Sequence, residues 1–304
     1  MTSFETAQAA VLERCGLEAT SQEAAVPSLG ARAHVLSCGT GPPVVLVHGI
    51  GVPAAAWAPL MARLHGFRLH AVDLPGHGLS DAGAMASAEL RDAAVGFLRD
   101  VLDGLGLRRT VLLGSSLGSL WALWFATARP DRVTALVHVG CPALAPGTSA
   151  PLPMRLLSTP IGPVLARIDG PSPAQVRRLA RMVGEDPLDP EIADLLLETE
   201  RRPELRPVFL SLLRRLLRLR GARPSAALTE EQLAAVAQPN LLVLGREDPT
   251  GGEVAGRRFV EALPDAELHL VDGGHAPWLR RADEVARIVS SFLYDRRSTT
   301  MAMP

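Results

Sequence analysis

Short apolar runs and longer segments with helical periodicity alternate along most of this chain. Val44–Val47 is apolar without a polar break, the pattern of a strand buried on both faces. Comparable runs fall at Arg68–Val72, Thr110–Leu113, Thr134–Val139, Leu241–Leu244 and Leu268–Val271, with Ala33–Ser37 expected to pair at one edge. Helices are expected between them at Ala54–Leu64, Ala88–Leu105 and Ser116–Ala128, and after a long interruption at Glu253–Leu263 and Ala282–Tyr294. Strands alternating with helices predict an α/β domain on a parallel sheet.

The alternation breaks after Val139. Eight prolines between Pro142 and Pro173 rule out one long helix or a central strand there. Arginine-rich amphipathic segments follow around Ala174–Val183, Pro190–Glu200 and Pro207–Arg220. Residues 141–233 are therefore expected to form a helical cap inserted into a core domain of residues 1–140 and 234–304. The leucines of the stretch VFLSLLRRLLRLR, which begins at Val208, should pack on that core with the arginines in water, rather than lie on a membrane surface.

Composition narrows the chemistry. The 304 residues are 47% hydrophobic and 21% charged, ordinary for a globular protein with a sizeable core. A formal net charge of -1 gives no electrostatic reason to expect nucleic acid. All 31 basic residues are arginine, so no lysine is available for a Schiff base, a pyridoxal anchor or a phosphate loop. Cys15, Cys38 and Cys141 lie far apart with no metal-ligand spacing, which fits a reducing compartment. Met1–Thr20 has no apolar core of a signal peptide, and no stretch has the length of a membrane span. A cytoplasmic protein acting on a small molecule is expected, with no metal, cofactor, nucleic-acid or membrane partner.

The chemistry is carried by strand ends. Gly114-Ser115-Ser116-Leu117-Gly118 is a G-x-S-x-G between an apolar strand and an apolar helix, the context in which that turn exposes a serine hydroxyl above a sheet. Glycines at 114 and 118 leave room where a Cβ would strike a neighbouring element. Ser116 is the expected nucleophile. The Leu117 N–H, at a helix N-terminus, is an expected oxyanion donor. Ser115, at the variable position, should point away from the attacking site. Together with Gly49, Cys141 and Trp278 it is expected to border the pocket. A second donor is assigned to the Ile50 N–H, in the glycine-rich turn His48-Gly49-Ile50-Gly51 after Val44–Val47. His48 is expected to hold that loop by hydrogen bonds.

A serine hydroxyl needs a base. His275 follows the last strand, in Gly273-Gly274-His275-Ala276-Pro277-Trp278. Asp248 follows the strand before it, in Gly245-Arg246-Glu247-Asp248-Pro249, and is expected to orient the histidine. Glu247 and Asp272 are the rival carboxylates.

Together these residues resemble the α/β-hydrolase family, over two blocks, Ala33–Gly140 and Asn240–Tyr294. Asp73-Leu74-Pro75-Gly76-His77-Gly78-Leu79-Ser80-Asp81 is similar to that family's loop after its fourth strand, and Trp57 is similar too. The resemblance implies a mostly parallel eight-stranded sheet with the cap inserted after the sixth strand. It also implies hydrolysis of a carboxylic ester through an acyl-enzyme. A carbon–carbon hydrolase of keto acids is the alternative, with Arg214 or Arg215 holding the carboxylate. Such enzymes usually carry an amide before the serine and an aromatic after the histidine, where this chain has Ser115 and Ala276. Perhydrolase or acyltransferase chemistry uses the same residues, and a ligand receptor on the same fold is the non-catalytic alternative.

Overall fold

A computed structural model describes residues 3–168 and 170–301. Residues 1–2 and 302–304 of the expected core domain, and residue 169 of the expected cap, lie outside the described residues. Eight strands form one sheet: β1 (Thr20–Val26), β2 (Ala31–Cys38), β3 (Pro43–Val47), β4 (Arg68–Val72), β5 (Thr110–Gly114), β6 (Val133–Val139), β7 (Asn240–Gly245) and β8 (Ala266–Val271). Their order across the sheet is β1-β2-β4-β3-β5-β6-β7-β8. β1 runs antiparallel to β2, and β2 antiparallel to β4. Every later pairing is parallel. The sheet is therefore mostly parallel, as expected.

The unbroken apolar runs reflect burial on both faces. In β3, Val45 and Val47 enter one hydrophobic cluster while Val44 and Leu46 enter the other. α1 (Ser3–Arg14), α2 (Ala58–Met61) and the carboxy-terminal helix contribute Phe4, Val11, Leu60 and Phe292 to the second cluster. α3 (Leu90–Gly104) and α4 (Leu117–Ala128) contribute Phe97, Trp121 and Phe125 to the first. α4 is apolar all round because it lies buried along nearly its whole length.

The helix expected over Ala54–Leu64 is shorter. A 3₁₀ turn (Ala54–Trp57) precedes the four residues of α2, with Pro53 and Pro59 removing donors on either side. β1 and α1 carried no apolar signal. β1 lies at the sheet edge, and only Ala24 and Val26 of its seven residues are buried.

Between β6 and β7 the chain forms α5 (Leu152–Leu157), α6 (Gly162–Ile168), α7 (Pro173–Met182), α8 (Pro190–Glu200) and α9 (Leu205–Leu216). α8 packs on α1, where Ile192 and Leu195 meet the cluster of Phe4 and Val11. α9 buries Val208, Leu212, Leu213 and Leu216 against the core, so its leucines face protein as expected. That helix stops at Leu216 rather than running to Arg220. Leu217–Arg218 and Gly221–Ala222 pair as a two-stranded ribbon, and Gly221 holds a φ of 125° that a side chain would resist. α10 (Glu230–Ala234) leads back to β7. α11 (Gly252–Glu261) and α12 (Ala282–Met301) complete the chain. Among the described residues no helix is long and apolar enough to cross a membrane.

Candidate active site

The strands β3, β5, β7 and β8 all run in one direction, so their carboxyl ends lie along one edge of the sheet. Ser116, at the end of β5, has φ 50° and ψ -112°, a strained backbone for a non-glycine residue. The turn is tight because its glycines permit close approach. A Cβ at Gly114 would lie 2.6 Å from the Ser119 nitrogen, and one at Gly118 would lie 2.0 Å from the Val47 carbonyl oxygen. Ser116 is partly exposed while Ser115 is 2% exposed. Ser115 is thus buried within the turn.

The loop after β3 meets this turn directly. A Cβ at Gly49 would come 3.3 Å from the Ser116 Cβ. Among the described residues, the N–H groups of Ile50 and Leu117 make no backbone hydrogen bond. The imidazole of His48 is fully buried and holds the loop: its Nε2 accepts from the Leu74 N–H at 2.8 Å, and its Nδ1 donates to the Gly49 carbonyl at 2.7 Å. His77 accepts from the Gly51 N–H at 3.0 Å, and burial pushes its pKa down to about 3. Asp73, also buried, accepts from the Ala54 N–H at 2.6 Å and from His34 at 2.7 Å. The buried rings of His48 and His77, whose pKa values burial lowers, and the Asp73 carboxylate together fix the loop.

At the opposite side of the turn, Asp248 and His275 meet. His275 Nδ1 donates to Asp248 Oδ2 at 2.9 Å. The same oxygen accepts from the Cys141 N–H at 3.0 Å, and Oδ1 accepts from the Thr250 N–H at 2.9 Å and its hydroxyl at 2.7 Å. Burial alone pushes the Asp248 carboxyl up, but His275 and the Thr250 donors outweigh it and hold the pKa at about 2. Burial likewise pushes the His275 imidazole down, and the Asp248 charge and hydrogen bond, with Glu185 behind, raise it above its ordinary value. Glu247 is exposed, and Asp272 faces Arg246 and Arg281, so neither rival carboxylate reaches the ring. Gly140 ties the two sides together: with φ 80°, its absent Cβ would lie 2.1 Å from the His275 carbonyl oxygen and 3.6 Å from Ser115 Oγ.

Several expected pocket residues serve differently. Trp278 is 4% exposed, stacks on Trp57 with ring centroids 4.2 Å apart, and donates its indole N–H to the Ala56 carbonyl at 2.9 Å. It is a core residue of the second cluster, because the 3₁₀ turn after His275 points it at α2. The Cys141 thiol is buried rather than open to a pocket, and that burial pushes its pKa up to about 12. Arg215 donates to the carbonyls of Met85, at 2.7 Å, and Ala88. With Arg214 it lines a cavity of about 270 Å³ that also holds Glu89, Trp124 and Arg223 and none of the strand-end residues. Three contributors carried no sequence signal. Thr250 supports Asp248, Phe209 from α9 lies against Gly51, and Glu185 accepts from the Ala276 N–H at 2.7 Å.

A model of the alpha/beta hydrolase family matches residues 44–288. The 2-hydroxy-6-oxononadienedioate/2-hydroxy-6-oxononatrienedioate hydrolase of Cupriavidus pinatubonensis is 30% identical over 281 residues, 86% of this chain and 90% of that protein. The pimeloyl-[acyl-carrier protein] methyl ester esterase of Xanthomonas campestris pv. campestris is 30% identical over 277 residues, 86% of this chain and 98% of that one. In three dimensions the carboxylesterase CesB of Bacillus subtilis superposes with a TM-score of 0.76 at 23% identity, over 95% of this chain and 96% of its own.

Proposed function

From the premise that this chain belongs to the α/β-hydrolase family, we propose that it is a serine hydrolase cleaving carboxylic esters of small, largely apolar acyl or alcohol groups through an acyl-enzyme. The observation that carries this reading is the Asp248–His275 hydrogen bond, joined through the close packing of Gly140 against the His275 carbonyl and Ser115 to the turn in which the Ser116 backbone is strained. With Nδ1 committed to Asp248, His275 offers Nε2 as the base for Ser116. The ring takes the proton from the Ser116 hydroxyl, and the serine oxygen attacks the ester carbonyl. The oxyanion is received by the N–H groups of Ile50 and Leu117, whose backbone is already fixed by His48, His77 and the Gly118 contact. His275 then protonates the leaving alcohol and activates water to release the acid, while Asp248 holds the tautomer and the imidazolium. Preorganised donors of this kind contribute about 10²–10³ in kcat each.

The helices between β6 and β7 serve as the cap over the strand ends. Phe209 against Gly51 and the half-buried Ile50 supply an apolar wall there. A similar relative is a carbon–carbon hydrolase, and that reaction is the second reading. It is disfavoured by Arg215, whose guanidinium is spent on the Met85 and Ala88 carbonyls rather than turned towards a substrate carboxylate. The proposed site is composed of side chains and backbone alone, with no part for a cofactor.

A fluorophosphonate probe followed by peptide mass mapping tests the nucleophile. Labelling at Ser116, absent in Ser116→Ala, is the expected result; an unlabelled wild-type protein contradicts it. Esters, thioesters and lactones of graded chain length, run beside a ring-cleavage dienoate, decide between the two reactions. Faster turnover of the dienoate than of every ester would replace the first reading by the second.

A further inference from the structure

The segment Val183–Glu185 returns from the insertion to the loop that carries His275. α7 ends in a Schellman cap: Gly184, at φ 76°, donates to the Arg181 carbonyl at 3.2 Å, and the Glu185 N–H donates to the Ala180 carbonyl at 2.8 Å. This turn aims its last three residues at the histidine loop. The His275 N–H donates to the Val183 carbonyl at 2.8 Å. A Cβ at Gly274 would lie 2.4 Å from the Val183 carbonyl oxygen and 2.6 Å from that of Gly184. The next N–H, of Ala276, donates to Glu185 Oε1 at 2.7 Å.

Glu185 is an unusual residue to spend on such a contact. It is 1% exposed, and its second oxygen, Oε2, is buried with no hydrogen-bond partner. A carboxyl in that position is costly unless a nearby positive charge offsets the loss of water. The charges facing this region can be named. Asp248 comes from the loop after β7 and Glu185 from the end of α7; Arg280 lies beyond the 3₁₀ turn, and Arg181 pairs with Asp186 at 3.9 Å near the protein surface. The serine turn brings Ser115 and Ser116, and the Cys141 thiol stays protonated. The positive charge that forms between the two carboxylates is that of His275 itself.

We propose that Glu185 is a positioning residue for the His275 base, fixing the backbone after the ring and placing a second negative charge behind the imidazolium. This rests on the reading of His275 as the base for Ser116. When the Ser116 proton passes to Nε2, the imidazolium forms between Asp248 and Glu185, and the proton leaves again to the departing alcohol. Burial raises the Glu185 pKa above its ordinary value, against the Ala276 N–H bond and then the His275 charge, which both lower it. The insertion thereby acts on the base as well as covering the strand ends.

The test separates charge from shape. Glu185→Gln keeps an oxygen for the Ala276 N–H and removes the charge; Glu185→Asp keeps the charge and shortens its reach. The imidazole of His275 is titrated by NMR on histidine-labelled protein, and kcat/KM for a simple ester is measured across the same pH range. In E185Q the His275 midpoint should fall by about half a unit to one unit, with the acid limb of kcat/KM moving by the same amount, and E185D should recover part of the shift. Coincident midpoints in wild type and E185Q would overturn the proposal. Should E185Q fail to fold, the carboxyl carbon of Glu185 in the wild-type protein decides: it must be ionised where His275 takes up its proton, and a carboxyl still protonated there defeats the idea. Fluorophosphonate labelling of Ser116 is scored separately. Labelling without the E185Q shift sinks this inference alone, whereas an unlabelled wild type removes the role of base on which it depends.

Discussion

Gly118 sits so close to Val47 that a Cβ on the glycine would lie 2.0 Å from the valine's carbonyl oxygen. That oxygen also accepts the Ser115 N–H at 3.1 Å, so one backbone atom binds the serine turn to the loop that carries Ile50. Gly118→Ala would force two backbones apart, and nothing flexible is available to yield. A loss exceeding about 4 kcal/mol is expected. Gly16→Ala is the control: φ is 61° there, but the space is open, and a cost of about 1 kcal/mol is expected from backbone strain alone. Thermal unfolding of the two variants checks the difference; equal midpoints would mean the turn is not packed as described.

Asp248 receives four donors, from His275, Cys141 and both donor groups of Thr250. An asparagine offers one oxygen and turns an NH₂ towards donors that need acceptors. Asp248→Asn should lower kcat by about 10⁴-fold, because the histidine loses its tautomer and its counter-charge. Stability should fall by about 1–3 kcal/mol for the unpaired groups. Steady-state kinetics and a melting curve on the same preparation read both effects.

The raised pKa of His275 has a definite sign in kinetics. The base must be neutral to accept the Ser116 proton, so activity rises with pH as the ring loses its own. The acid limb of kcat/KM is therefore expected above about 6.5, the ordinary value for histidine. An ester whose leaving group does not titrate in the range is the substrate for this measurement. A midpoint below that value would show that Asp248 is not ionised beside the ring.

Arg215 separates the two proposed reactions. Its guanidinium bonds the Met85 and Ala88 carbonyls from α9. Arg215→Leu is expected to lower stability by about 1–3 kcal/mol and to change ester and dienoate turnover by the same factor. A selective loss of dienoate turnover would show that the arginine holds a substrate carboxylate.

The pattern of apolar runs located the strands because each central strand is buried on both faces, and such burial leaves a continuous signature. β1 escaped it: at the sheet edge, with most side chains in water, Thr20–Val26 has no need of apolar residues. Trp278 misled for the converse reason. An aromatic three residues after the candidate base His275 reads equally well as a pocket wall or as core, and only the direction of the Pro277–Leu279 turn, which stacks the indole on Trp57, decides between them.

Ser116, Asp248 and His275 were legible as residues because each ends a recognisable strand and the order of strands along the chain constrains what can stand there. The sequence by itself thus determined which strand ends carry the candidate residues and where the sheet is interrupted. Tertiary structure alone decided what surrounds them: Thr250 and the Cys141 N–H on Asp248, Phe209 over Gly51, Glu185 on the Ala276 N–H. Thr250 belongs to the loop after β7 itself, whereas Cys141, Phe209 and Glu185 come from the segment between β6 and β7, whose docking depends on surface shape rather than on periodicity. Hydrogen bonds between segments 91 or 107 residues apart leave no local mark on either one.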